Sequence, residues 1–163
     1  MDSFFVKPVG YVERSSSENI KKPSKSIPFN ARKRELKEYR RLLRESESII
    51  RILPEYEVLL DGIQRYSHVV VLYWPHLLDE KERKIQKVHP RGWKDIPKQG
   101  VFATRSPARP NPILISTVEL IQREGCVLKV KGLEAFNETP VLDIKPEIDN
   151  AAKVPDWIEL EES

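Results

Sequence analysis

The spacing of apolar and polar positions changes period along the chain. Phe4 to Glu13 alternates and ends in a polar run, which predicts a strand. Ser15 to Pro28 (SSSENIKKPSKSIP) has almost nothing to bury and predicts a loop. From Ala31 to Ser46 the apolar positions are Leu36, Tyr39, Leu42 and Leu43, spaced to line one face of a helix for which Asn30 is a suitable N-cap. The other face carries Arg32, Lys33, Arg34, Lys37, Arg40, Arg41 and Arg44. Beyond that helix the signals are those of short strands. Ser48–Leu53 is one, and Tyr66–Trp74 (YSHVVVLYW) has the β-branched and aromatic composition of a strand buried on both faces. Lys84–His89 alternates, and Gly100–Thr104 is short and apolar. Ile113–Gln122 and Cys126–Leu133 flank Arg123-Glu124-Gly125, a three-residue hairpin connection with Gly at its end. Pro140–Lys145 closes the set. Short strands with turn signals between them favour an all-β sandwich or barrel over a parallel α/β sheet. No G-x-G-x-x-G follows a strand, so nothing points to a Rossmann nucleotide site.

Composition narrows this to one soluble domain. The 163 residues suit a single core, and 39% apolar with 33% charged residues is globular and heavily solvated. No run approaches the ~20 apolar residues of a membrane span. The N-terminal stretch MDSFFVKPVGYVERS has an early acid and no long apolar segment, so no secretory signal is expected there. A single cysteine, Cys126, excludes an internal disulfide framework and a multi-thiolate zinc site. The expected compartment is the cytoplasm.

Charge adds a partner class. Residues 1–44 hold twelve Lys/Arg against five Asp/Glu (+7), residues 81–109 nine against two (+7), and residues 133–163 two against nine (−7). Basic blocks of this density suit a polyanion such as nucleic acid, or a solvated surface. The basic helix at 31–46 is the first such element.

Two segments could carry chemistry. In Gly100–Ile113 (GVFATRSPARPNPI), Pro107, Pro110 and Pro112 fix their own φ and push Ser106, Arg109 and Asn111 towards extended backbone. Such a loop loses little entropy on ordering. It carries Arg105 and Arg109 four residues apart, and planar guanidiniums suit a carboxylate or a phosphate; the bland alternative is a surface turn paired with local acids. In Ala135–Pro146 (AFNETPVLDIKP), polar Asn137, Glu138 and Thr139 crowd a turn before a strand. With Leu142 and Ile144 facing the core, Asp143 faces the other side of the sheet. His68, His76 and His89 follow no metal-ligand spacing, so no metal is expected.

The segments VGYVERS (9–15), YSHVVVLYWPH (66–76), GVFATRSPARPNPI (100–113) and TPVLDIKP (139–146), in this order, resemble the TsaA-like (TrmO) family of β-barrel S-adenosylmethionine-dependent tRNA adenosine N6-methyltransferases. The resemblance implies a mainly β chain: a single-domain antiparallel β-barrel over 1–150, with a variable loop and basic helix inserted at 15–46 and an acidic tail at 151–163. It implies a homodimer whose cofactor site is completed near the dimer interface. Carried over, the S-adenosylmethionine site comprises His76, Leu77, Arg105, Ile115, Glu138, Thr139, Pro140 and Val141. Arg105 is suited to the cofactor's methionine carboxylate, Leu77 and Ile115 to the faces of its adenine, and backbone groups of the 138–141 turn to its edge. The acceptor implied is N6 of threonylcarbamoyladenosine beside the tRNA anticodon; the chain's own basic blocks at 1–44 and 81–109 are then expected to contact phosphates, with Arg40, Arg41, Arg44 and Arg109 as the candidates. The catalytic residues are unknown, with Asp143 and His68 as candidate bases. The chain departs from the family pattern in three places. It has no P-R-Q motif after the first strand, Asn137-Glu138 replaces Asp-Gly, and Leu114 replaces a Gly. A methyltransferase with another acceptor, or a barrel that binds RNA without methylating it, are the alternatives.

Overall fold

A computed structural model describes residues 4–14 and 29–148. The serine-rich loop expected at 15–28 and the acidic tail at 151–163 lie outside the described residues. The elements in chain order are β1 (Gly10–Glu13), α1 (Phe29–Glu45), β2 (Glu47–Ile52), β3 (His68–Tyr73), α2 (Glu80–Arg83), β4 (Lys87–Val88), β5 (Gln99–Gly100), β6 (Leu114–Glu124), β7 (Val127–Lys131) and β8 (Pro140–Pro146). Six strands, all paired antiparallel, close a barrel in the order β1-β2-β7-β6-β3-β8; β4 and β5 form a separate ribbon.

Alternation dictates which side chains fill that barrel. In β2 (ESIIRI) Ser48, Ile50 and Ile52 point in, and in β3 (HVVVLY) Val69, Val71 and Tyr73 do. With Val12, Val118, Leu128, Val130 and Val141 they form a core of mostly β-branched residues suited to a pleated surface. Even ~8 strands leave an interior only just wide enough to be filled by side chains or one small ligand. A six-stranded barrel is narrower, and side chains fill its interior. Gly10 lets β1 lie close to β2, because a Cβ there would stand 2.4 Å from the Arg51 carbonyl oxygen.

Several boundaries differ from the sequence expectations. Residues 4–8 form no strand, since β2 ends at Ile52 opposite Gly10 and Pro8 has no N–H to offer. Helix α1 already includes Asn30, so Asn30 is not its cap. Strand β3 is not buried on both faces: His68 is exposed and Val70 and Leu72 are half-buried, because the barrel wall is a single layer. A capping box on Asp79, whose carboxylate accepts from Glu82 N at 2.8 Å, winds Glu80–Arg83 into α2 and leaves only two residues of the 84–89 segment as strand. Past Gly100 the chain tightens into a 3₁₀ turn, with Thr104 Oγ1 donating to the Val101 carbonyl at 2.9 Å. The β6–β7 pairing runs to Glu124 opposite Val127, so the hairpin connection is Gly125-Cys126, with Gly125 at φ 57. Residues 54–65, for which no element is expected from the pattern, form two 3₁₀ stretches whose Leu60 is buried in the core cluster. Among the described residues no helix is long and apolar enough to cross a membrane.

Candidate functional site

The proline loop is built around one of its two arginines. Arg109 donates to the carbonyls of Thr104, Ser106 and Val101 at 3.3, 3.2 and 3.4 Å, and its guanidinium lies 6.0 Å from the Phe102 ring centroid. Ser106 N bonds Thr104 Oγ1 and Ala108 N bonds Ser106 Oγ, both at 3.2 Å. Pro112 is fully buried. From outside, Arg83 of α2 donates twice to the Pro110 carbonyl, at 3.1 and 2.9 Å, and lies 5.4 Å from the Trp74 ring centroid. Arg83 and Trp74 thus clamp the loop to the end of β3. Sequence reasoning missed them, because a contact 27 residues apart leaves no local spacing to read. Arg105 is the opposite case: it is exposed and has no hydrogen bond or ion pair among the described residues.

The second part is the turn entering β8. Glu138 has φ 63, its amide donates to the Val12 carbonyl at 2.7 Å, and the Thr139 amide donates to Phe136 O at 3.3 Å. The carbonyls of Thr139, Pro140 and Val141 accept from Val12, Trp74 and Val9 at 3.0, 3.0 and 2.8 Å. These bonds engage much of the turn's backbone and leave the Glu138 side chain exposed. The same bonds bring β1, the turn and the end of β3 together. A groove of about 350 Å³ lies between Tyr11–Glu13 and Asn137–Glu138.

The expected site residues distribute accordingly. Trp74 pairs with Pro140, which places the following His76 and Leu77 beside the turn; both are exposed, Leu77 at 68%. Ile115 lies opposite Leu72 on the outer face and is 49% exposed. Thr139 and Val141 are buried and support the turn from within. Arg105 lies on the same loop, five residues before the clamped Pro110. Asp143 lies across Leu72 on the other side, half-buried and 2.7 Å from Lys145 Nζ. His68 sits at the opposite end of β3, six residues before Trp74 or ~20 Å along a strand, which separates it from this cluster. Cys126 is in the hairpin turn, not a strand; its thiol donates to Glu57 Oε2 at 3.2 Å, and that bond, then burial, raises its pKa. Among the described residues no three His, Cys, Asp or Glu side chains group to hold a metal.

The sequence profile of the tRNA-methyltransferase O N-terminal domain matches residues 28–152. The chain belongs to that family. A probable S-adenosyl-L-methionine-binding protein of Methanothermobacter thermautotrophicus is 50% identical over 100 residues, 61% of this chain and 69% of its own length. The tRNA (adenine(37)-N6)-methyltransferase of Rattus norvegicus is 32% identical over 146 residues, 90% of this chain and 31% of that protein. The crystal structure of TrmO from Pseudomonas aeruginosa is similar with a TM-score of 0.62 at 26% identity, over 95% of this chain and 60% of that one. The chain thus spans about three-fifths of the solved TrmO chains it matches and under a third of the rat protein.

In this TrmO-family chain the basic helix is partly neutralised from within. Arg41 is bound by Glu38 at 2.9 and 2.6 Å and by Glu45 at 3.0 and 2.9 Å, which raises its pKa, the Glu38 hydrogen bond most. Arg44 lies 3.7 Å from Glu134. Arg40 is half-buried; burial lowers its pKa, Glu134 opposes this, and the charges of Arg91 and Arg44 add to it. Arg91 comes from the 81–109 block, so that block lies within electrostatic reach of α1. Arg34 and Lys37 are exposed and have no ion-pair partner among the described residues.

Proposed function

We propose that this chain is an S-adenosylmethionine-dependent methyltransferase acting on N6 of a tRNA adenosine, with threonylcarbamoyladenosine next to the anticodon as its acceptor. The observation that carries the reading is the alignment of the rat tRNA adenine N6-methyltransferase across 90% of this chain rather than across one motif. The site's chemistry fits the cofactor. Arg105 offers an unpaired guanidinium to a carboxylate from a loop whose other arginine is already spent. Exposed Leu77 and Ile115 offer apolar surface to a flat ring, with His76 and the turn Glu138, Thr139, Pro140 and Val141 beside them.

The bound cofactor supplies an electrophilic methyl group, which is the hard part of the chemistry. The chain's share is orientation: a clamped loop and a bonded turn hold their groups at fixed separation. The exposed apolar surface of Leu77, Ile113 and Ile115 supports a homodimer, in which a second copy covers it. The anticodon loop presents an already unstacked base, so little energy goes into extruding it. Arg40 and Arg44 of α1, joined by Arg34 and Lys37, contact its phosphates, whereas Arg41 is held by Glu38 and Glu45 and Arg109 acts by holding its own loop. The unpaired Cys126 fits a reducing compartment, the cytoplasm.

Calorimetric titration with S-adenosylmethionine, followed by transfer of labelled methyl to tRNA with and without the threonylcarbamoyl group, tests the reading. Micromolar binding, about −8 kcal/mol, lost in Arg105→Ala and followed by labelling of the modified tRNA is the expected result. No binding at millimolar cofactor, with or without tRNA, overturns it, and labelling only of another acceptor overturns the acceptor assignment.

A further inference from the structure

The segment between β7 and β8, residues 132–139, has no regular structure, yet it delivers the turn that opens β8. An exposed non-glycine residue at φ 63, as Glu138 is, is strained and persists only where its surroundings over-determine it. Those surroundings converge on Arg14, the residue after β1. Its backbone N–H donates to Asn137 Oδ1 at 2.9 Å, its Nε to the Ala135 carbonyl at 2.6 Å, one terminal nitrogen to Ser46 Oγ at 3.1 Å and the other to the Leu133 carbonyl. The carbonyl between these two, on Glu134, accepts from Tyr73 Oη at 3.4 Å. Leu133 and Ala135 are themselves buried, so removing the donors strands their carbonyls at a cost. Ser46 joins α1 to β2, and its Oγ donates to Leu43 O at 2.9 Å, so the same guanidinium also ties the helix junction to the loop.

We propose that Arg14 is a positioning residue for the cofactor turn. It holds the 133–137 segment so that Glu138 is presented in its left-handed conformation beside β1. A planar fork with donors in three directions meets three acceptors at once; a lysine ammonium has the charge but not the fork. Asn137 completes the device from the other side. Its side-chain oxygen accepts from the Arg14 amide, a role that needs an acceptor and no charge. The inference rests on reading residues 138–141 as part of an S-adenosylmethionine site.

The test is steady-state kinetics and amide hydrogen exchange on wild type, Arg14→Lys and Asn137→Leu. In both variants KM for S-adenosylmethionine rises by about tenfold or more, while kcat and KM for tRNA stay within about twofold, the pattern of an interaction lost from cofactor binding alone. The Glu138 and Thr139 amides exchange faster, and the core amides of Val71 and Val130 do not. An unchanged KM for S-adenosylmethionine overturns the proposal. So does a parallel loss of all kinetic constants with faster core exchange, which marks a general folding defect. Should Arg14→Lys fail to fold, Asn137→Leu decides by the same readouts. If wild type binds no S-adenosylmethionine, the functional reading fails by itself, and exchange at Glu138 and Thr139 still decides whether Arg14 sets the turn: faster in the variants supports it, unchanged overturns it.

Discussion

Arg105 and Arg109 share a loop, a charge and a spacing of four residues, and the structure gives them opposite work. Nothing in GVFATRSPARPNPI says which guanidinium turns inward, because that depends on where the Val101, Thr104 and Ser106 carbonyls point once the 3₁₀ turn has formed. The prolines made a stiff loop legible; the direction of each side chain is set by contacts across it. Arg109→Ala removes a charged donor from three half-buried carbonyls and is expected to lower stability by about 1–3 kcal/mol. Arg105→Ala, which breaks no bond among the described residues, is expected to change stability by under about 0.5 kcal/mol. Urea denaturation of the two variants side by side checks this, and equal losses would put both arginines in the loop's framework.

At the scale of elements, alternation made most barrel strands visible, within a residue or two for β2, β6 and β8. It misled at β3, where a run of valines and aromatics looks identical whether a second layer covers it or not. The ends of elements were set by features outside the period: a capping box at Asp79, a glycine turn at Gly125 and the end of β2 opposite Gly10. The two valines in the middle of β3 separate the readings. Val71 lies inside the barrel with no exposure and Val70 lies on the outer face. Val71→Ala is expected to cost about 2–3 kcal/mol and Val70→Ala under about 1 kcal/mol. A strand buried on both faces gives equal losses in thermal or chemical unfolding.

Across the whole molecule, the sequence blocks of charge were plain but their geometry was not. The charge of Arg91 is felt at Arg40, in a segment about fifty residues away, and the ion pairs of Arg41 with Glu38 and Glu45 neutralise a side chain that a helical wheel counts as free. Lost phosphate contacts appear in the salt dependence of binding, at about 0.7–0.9 per contact in the slope of log K against log salt. Arg34→Gln with Lys37→Gln is therefore expected to lower that slope for tRNA by about 1–2, and Arg41→Gln by less than about 0.5. Fluorescence anisotropy across a salt series reads both. Strand order, too, left no trace in the local pattern: β8 lies between β1 and β3, and β1 and β8 are the first and last strands of the barrel. That placement has a kinetic consequence. As the chain leaves the ribosome, five strands can pair while β1 and β3 still face each other as two bare edges, open to neighbouring chains. Only when residues 140–146 emerge do both edges close, and the same stroke seats the turn on which the proposed cofactor site depends. In such a design a nascent barrel that has not sealed lacks the proposed cofactor turn, so binding competence waits on the synthesis of β8.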